Sequence, residues 1–470
     1  MRYMHSSLLT LLGLVFSSLL FAQDVSLPDA TRVELPNGAV LIMIEKHDVP
    51  MIGVQAILRG GAAADPSGKG GLASLYASLI EKGAGDRDAA EFSAAIDSVG
   101  ASLSARAGME GITIGGDFLS RDAGLMVELL ADMLQRPALD QDEFEKLRER
   151  SINFLRAAKD ADPGDLLPTY AAAFVFGEHP YGNPVSGSET SLQTLSHDDL
   201  QTYFERQVGA DRLIIAVAGD FESGAMQAML KDAFAGWRRA VERPVPVAEL
   251  PRQAGNRVLL VDKSGATQSY FWIGNVGVAR NFKRRADLDI ANTVFGGRFT
   301  SMLNTALRVE SGLTYGARST LVRPSQPGSI AISSFTRTDA TVEAIDMALG
   351  VLGQLRDAGI GDEMRTSAQN YVLGQFPTSL ETASQLAAQF AMLDNYGLGT
   401  EYVDGYGSAV RAVSSESLKA VIEEVYPAPE ELVFVLIGDA ATIRDEVKKY
   451  GSVTELSITE PRFRVLPKEE

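Results

Sequence analysis

Apolar residues in this chain fall into short strand-like runs and longer runs with helical spacing, separated by turn residues. An alternating run at 32–35 and an apolar run at 40–44 flank Pro36-Asn37-Gly38, which predicts a hairpin turned at Asn-Gly. A strand at 54–58, a loop at 59–66 and a helix over 72–82 come next. Strands at 101–107 and 112–119 flank Gly108, and a helix over 125–134 follows Ser120-Arg121-Asp122. Ser196 is placed to cap a helix that starts at His197. Residues 213–218 form a fully apolar strand closed by Gly219-Asp220, and a helix then runs towards Trp237.

Residues 242–253 read ERPVPVAELPRQ, and the prolines predict a stiff extended connection. Beyond it the pattern starts again. Val258-Leu259-Leu260-Val261-Asp262-Lys263 echoes the run from Val40 to Lys46, and the run ending Gly438-Asp439 echoes the one ending Gly219-Asp220. Val258 lies 218 residues after Val40, and Gly438 lies 219 after Gly219. A nearly constant offset predicts two homologous halves, 23–241 and 258–470, joined by a linker over 242–257. The second half adds strands at 268–276 and 329–335 and helices over 338–355, 364–374, 380–392 and 414–425. Helices and strands cluster without strict βαβ alternation, so the expected class is α+β.

The most informative stretch is FGGRFTSMLNTALRVESGLTYGARS, residues 295–319. Phe299, Met302, Leu303, Ala306 and Leu307 share one face of a helix, Gly312 sits where a helix stop needs φ > 0, and a strand with alternating sides begins at Leu313. Arg308 then lies on the last helical turn and Tyr315 early on the strand. A guanidinium and a phenol held there can converge on a carbonyl oxygen or an oxyanion. The plainer alternative is an arginine covering a helix C-terminus beside a half-buried strand tyrosine.

Composition narrows the classes. The 470 residues include 43 Lys plus Arg against 61 Asp plus Glu, a net charge of −18. That balance argues against nucleic acid and anionic membrane surfaces as partners. The absence of cysteine excludes disulfides, thiolate metal sites, cysteine nucleophiles and a lipoprotein anchor. Arg2, the apolar run 8–21 and Ala22 predict a signal peptide over 1–22, with a retained anchor helix as the alternative. Its removal predicts a periplasmic or extracellular product without a membrane anchor. His47, His179 and His197 are not paired with other ligand types, and no Gly-x-Ser-x-Gly elbow is present.

The 295–319 stretch resembles the signature of the pitrilysin-like zinc peptidases: a Gly-Gly turn (Gly296-Gly297), a helix ending Leu307-Arg308, then Gly312-Leu313-Thr314-Tyr315. The Gly177-Glu178-His179-Pro180-Tyr181-Gly182 turn is similar to the family's His-Pro-Tyr-Gly turn. The family's zinc helix, Gly-Leu-Ala-His-x-x-Glu-His, aligns on Gly71-Leu72-Ala73 and on Lys82-Gly83. In that frame the two metal-binding histidines fall on Ser74 and Ser78, the general-base glutamate on Ala77, and the third ligand on Leu155. No member of the set survives, so the resemblance implies a chain without catalytic zinc. It further implies halves built of two related α/β sandwich modules each, forming half of a clam-shell chamber, with Leu103 to Ala105 on a peptide-binding sheet edge. Arg308 and Tyr315 would contact substrate near the scissile bond. The implied partner is a homologous zinc-bearing subunit, with peptides as substrates and no activity of this chain alone. The alternative is an inert structural or peptide-holding protein like the respiratory core subunits. Arg298, where relatives carry a small residue, departs from the pattern.

Overall fold

The computed structural model describes residues 25–243 and 246–464. The predicted signal peptide over 1–22 lies outside the described residues, as does Pro244-Val245 of the linker. The first half forms a six-stranded mixed sheet from β1 (Thr31–Glu34), β2 (Val40–Glu45), β3 (Met51–Arg59), β4 (Ser102–Ala107), β5 (Gly111–Leu119) and β6 (Leu213–Gly219), in the order β1-β2-β6-β3-β5-β4. The second half repeats it with β7 (Arg257–Asp262), β8 (Gln268–Val276), β9 (Ala317–Val322), β10 (Ser329–Arg337), β11 (Val433–Gly438) and β12 (Ser452–Ser457), in the order β12-β7-β11-β8-β10-β9. The echoed segments are the neighbouring parallel strands β2 and β6 in one sheet and β7 and β11 in the other. They carry continuous apolar runs because both of their faces are covered. Each half contributes one sheet, so the chain carries two such modules, and four would require a second chain.

Helices α1 (Leu72–Leu79), α2 (Ala89–Ser98), α3 (Ala123–Gln135), α4 (Gln141–Asp160), α5 (Leu167–Phe176), α6 (Glu189–Thr194), α7 (His197–Gln207) and α8 (Ser223–Phe234) belong to the first half. The second half includes α9 (Arg285–Asn292), the short α10 (Met302–Asn304), α11 (Thr341–Ala358), α12 (Asp362–Gln375) and α13 (Ala383–Asn395). Local chemistry explains their starts. The Ser196 hydroxyl accepts from the Asp199 N–H at 3.2 Å, so α7 begins where its cap was expected.

The halves exchange helices. Helix α5 lies on β8 and β11 of the second sheet, and α13 lies on β3 and β6 of the first. Leu386, Ala387, Phe390 and Ala391 thereby bury Val40, Ile42, Ile44, Ile214 and Ala216. Leu167, Tyr170 and Ala171 share a core with Trp272, Val433, Val435 and Ile437. The approach is close: a Cβ on Gly53 would stand 2.3 Å from the Ser384 nitrogen, and one on Gly164 would stand 2.5 Å from the Tyr270 ring. Neither sheet is covered on both faces without the other half. The hairpin tips are also tied, because the Glu110 carboxylate accepts from the Ser325 N–H at 2.9 Å and from the Tyr181 hydroxyl at 2.5 Å.

Candidate substrate-contact site

Helix α1 starts at Gly71, which adopts φ +93 and whose Cβ would meet Gly187 at 2.9 Å. The Asp65 side chain accepts from the Gly71 and Ala73 N–H groups, both at 2.9 Å. Burial pushes its pKa up to about 7, against the pull of those bonds. The helix ends at Leu79, three residues short of the expected end, because 80–82 form a turn. Ser74 and Ser78 lie one turn apart and are partly exposed, Ala77 is buried, and α1 packs against α4, where Leu155 is also buried. The two elements that would carry a metal site do meet, but they bring two neutral hydroxyls, a methyl and an isobutyl group. Zinc requires imidazole, thiolate or carboxylate donors, so these residues do not fit it. Among the described residues no group of three or more His, Cys, Asp or Glu stands where it could hold a metal ion.

The histidines have other partners. His179 Nδ1 accepts from the Tyr181 N–H at 3.2 Å, and its Nε2 lies 2.8 Å from the Ala248 carbonyl, which fixes the turn. His197 bonds the Leu139 carbonyl, and His47 bonds Asp220 at 2.8 Å.

The second half differs at the matching place. Residues 293–297 and 305–310 are wound as π-turns, with only Met302–Asn304 as regular α-helix between them. Single π-turns of this kind often mark functional sites. The wide turn ends at Gly312, with φ +67. The Leu307 carbonyl accepts from the N–H groups of Leu313 at 2.9 Å and Thr314 at 3.2 Å, tying the helix end to the following loop. Tyr315 sits in that loop, two residues before β9 begins, not on the strand. Phe299 also departs from expectation: it precedes the helix and is 63 % exposed, where the spacing had placed it on the buried face. Leu303 and Leu307 alone of that set are fully buried.

These departures create the site. The Arg308 guanidinium lies over two rings, 4.8 Å from the centroid of Phe299 and 4.4 Å from that of Tyr315. Tyr315 is 74 % exposed. No carboxylate pairs with Arg308 among the described residues. With no carboxylate paired to it, the guanidinium keeps N–H donors for an acceptor.

Polar residues beneath fix the rings. Asn304 donates to the Phe299 carbonyl at 2.7 Å and accepts from the Ala317 N–H at 3.3 Å. The Thr336 hydroxyl donates to the Leu313 carbonyl at 2.6 Å, and the Ser334 hydroxyl donates to the Gly316 carbonyl at 2.9 Å and lies 3.1 Å from that of Thr314. These buried hydroxyls bracket Tyr315 on both sides. Sequence reasoning missed Phe299, Asn304, Ser334 and Thr336. The available signal was a run of hydroxyl residues at the apolar-facing positions of β10. Arg298 donates to the Ser367 hydroxyl of α12 at 2.9 Å. It also lines an open groove of 620 Å³ with Phe299, Gly316, Arg318 and Ser333.

The edge of the first sheet is β4, as expected, but one of its outward donors is occupied. The Ala105 N–H donates to Glu81, just past α1, at 2.5 Å.

The model for the M16 family of insulinase-type peptidases matches residues 41–189, and that for the M16 inactive domain matches residues 194–371. The chain is a member of this pitrilysin-like peptidase family, and it lacks the family's catalytic motif. It is 26 % identical over 369 residues to an uncharacterized zinc protease of Mycobacterium leprae, covering 78 % of this chain and 82 % of that one. It is 23 % identical over 384 residues to a non-peptidase homolog of Helicobacter pylori, covering 81 % and 86 %. Its fold matches the M16 inactive domain from Pseudomonas fluorescens with a TM-score of 0.81 at 18 % identity, over 87 % of this chain and 98 % of that one. The periplasmic protease PqqL of Escherichia coli matches with a TM-score of 0.74 at 13 % identity, over 88 % of this chain but 46 % of the longer protein.

Proposed function

We propose that this chain is the metal-free subunit of a two-chain periplasmic peptidase, and that it places Arg308 and Tyr315 in the active site of a zinc-bearing homologue. The observation that carries this reading is the half-buried Arg308 guanidinium, lying over two exposed rings and paired with no acid among the described residues. An unpaired guanidinium beside a solvent-facing phenol suits an oxygen that gains negative charge. Zinc would be held by the partner and would polarise the scissile carbonyl there. In this chain the Arg308 N–H groups and the Tyr315 O–H donate to the peptide carbonyl and hold it as charge develops on its oxygen. The stacking and the Asn304 and Thr336 bonds keep those donors aimed before substrate arrives, so little reorganisation is left for the reaction.

The test mixes the purified chain with a homologue that keeps the His-x-x-Glu-His helix and follows cleavage of a quenched peptide. Neither chain alone should match the mixture. Arg308→Ala should slow the mixture about a hundredfold without separating the chains, as loss of one such donor does. Unchanged turnover in that mixture would remove the assigned role. A second reading, an inert structural or peptide-holding protein, is favoured by one feature: Glu81 already occupies a donor on the edge where an extended peptide would add. A zinc homologue fully active alone and indifferent to this chain would support it.

A further inference from the structure

Helix α5 covers β8 and β11 but stops short of the outer strands. Between it and β8, β9 and β10 lies a 230 Å³ cavity walled by Leu167, Ala171, Val175 and Phe176 of the helix and by Trp272 and Val322 of the sheet. That volume falls below the roughly 300–1,000 Å³ of sites that enclose whole small-molecule ligands. It suits one large side chain. The cavity is not isolated: Gly164, Leu167, Arg318 and Ser333 line both it and the 620 Å³ groove that begins at Phe299 and Gly316, beside the Arg308 stack. Arg318 and Ser333 are paired across β9 and β10 and share a 3.3 Å hydrogen bond at the junction. Carbon walls below, a polar rim above and a direct path to the peptide-contact residues describe a side-chain pocket.

The corresponding space of the first half is different. Between α13 and β3 and β5 the lining mixes Gln55, Thr113 and Arg280 with Ile57, Leu321 and Met392, and the space is wide and open, at 650 Å³.

We propose that the cavity under α5 receives one aromatic or large aliphatic side chain of the peptide whose carbonyl Arg308 and Tyr315 hold. The inference rests on that reading of the pair. Extended peptide advances about 3.3 Å per residue. The junction at Arg318 lies three residues along the chain from Tyr315, so the selected side chain belongs about two to four residues from the held carbonyl.

Trp272 reports on the cavity directly. The chain has two tryptophans, so Trp237→Phe leaves Trp272 as the sole emitter. The probes are a ten-residue Gly-Ser peptide carrying a single Phe and its all-Ser counterpart. The Phe peptide should shift Trp272 emission and bind at least tenfold tighter. Ala172→Phe, filling the cavity from the helix, should abolish that ratio, and Thr320→Phe fills it from the strand if the first variant misfolds. Equal binding of the two peptides, no Trp272 response, or a ratio that survives filling overturns the proposal. Arg308→Ala separates the two ideas. A loss for both peptides with no Phe preference at any stage sinks the cavity alone. A Phe preference abolished by filling, with no effect of Arg308→Ala, sinks the role of the pair and leaves the pocket.

Discussion

The two halves share a sheet order and a borrowed covering helix, yet they spend the same structural position in opposite ways. In the first half, the segment after β3 is a short helix that carries Ser74, Ala77 and Ser78, and Glu81 beyond it ties off the Ala105 N–H. In the second half, the segment after β8 winds as π-turns, presses Gly296 against Ser319 of β9, and projects Phe299, Arg308 and Tyr315 outward. One half keeps a packed pair of helices with no zinc-ligating side chain at Ser74, Ser78 or Leu155. The other has given up regular helix to hold a half-buried arginine against two exposed rings. Packing and chemistry are therefore separable here, because the shared scaffold depends on the exchanged helices and not on either site.

The strongest test of that separation attacks the exchange. Phe390→Ala empties a buried ring from α13 and should cost about 3–5 kcal/mol. Urea unfolding would read the cost. Hydrogen exchange should show the loosening in β3 and β6, although Phe390 belongs to the second half by sequence. Loosening confined to the second half would mean that the first sheet does not need the borrowed helix. Next in size, Leu155→Glu places a carboxylate in the packed interface of α1 and α4 and should cost on the order of 3 kcal/mol. Adding Ser74→His and Ser78→His should make thermal stability rise with Zn²⁺, while the native chain should not respond. A zinc response by the native chain would contradict the emptied-site reading.

Glu81→Ala probes the smaller device at the sheet edge. Loss of a charge-assisted bond to a strand N–H should cost about 1.5 kcal/mol and speed exchange at Ala105. If the inert reading is right, the freed edge should also gain affinity for extended peptides.

Much of this was legible in local pattern. The strand over 268–276, the cap at Ser196 and the positive φ at Gly312 all depend on residues near one another in sequence. The exchange of α5 and α13 was not, because an amphipathic helix shows which face it buries but not which sheet will bury it. The exposure of Phe299 was hidden for a related reason. Its spacing fitted the helical face, and only the π-turns, supported by Asn304 and the β10 hydroxyls, displaced it. Those hydroxyls read as ordinary strand residues until the loop they hold is seen.

The finest distinction between the halves lies where the parallel strands end. Asp220, after β6, bonds His47 at 2.8 Å and the Ser120 hydroxyl, whereas its counterpart Asp439, after β11, bonds the Gly265 N–H and Thr442. Only the first half has a histidine there. Bonding to Asp220, then to Glu45, holds the His47 pKa above its usual 6.5. A raised pKa in the folded chain means that the folded state binds the proton more tightly than the unfolded one, so the contribution is fully present below about pH 6.5 and lost as pH rises through the folded value. The group is exposed, so the effect should be local and screened by salt. Amide exchange at the ends of β2 and β6 should quicken with pH over that window beyond the intrinsic increase, the ends of β7 and β11 should not, and His47→Gln should erase the difference. Parallel behaviour of the two strand ends in the native chain would show that the histidine adds nothing to the first half.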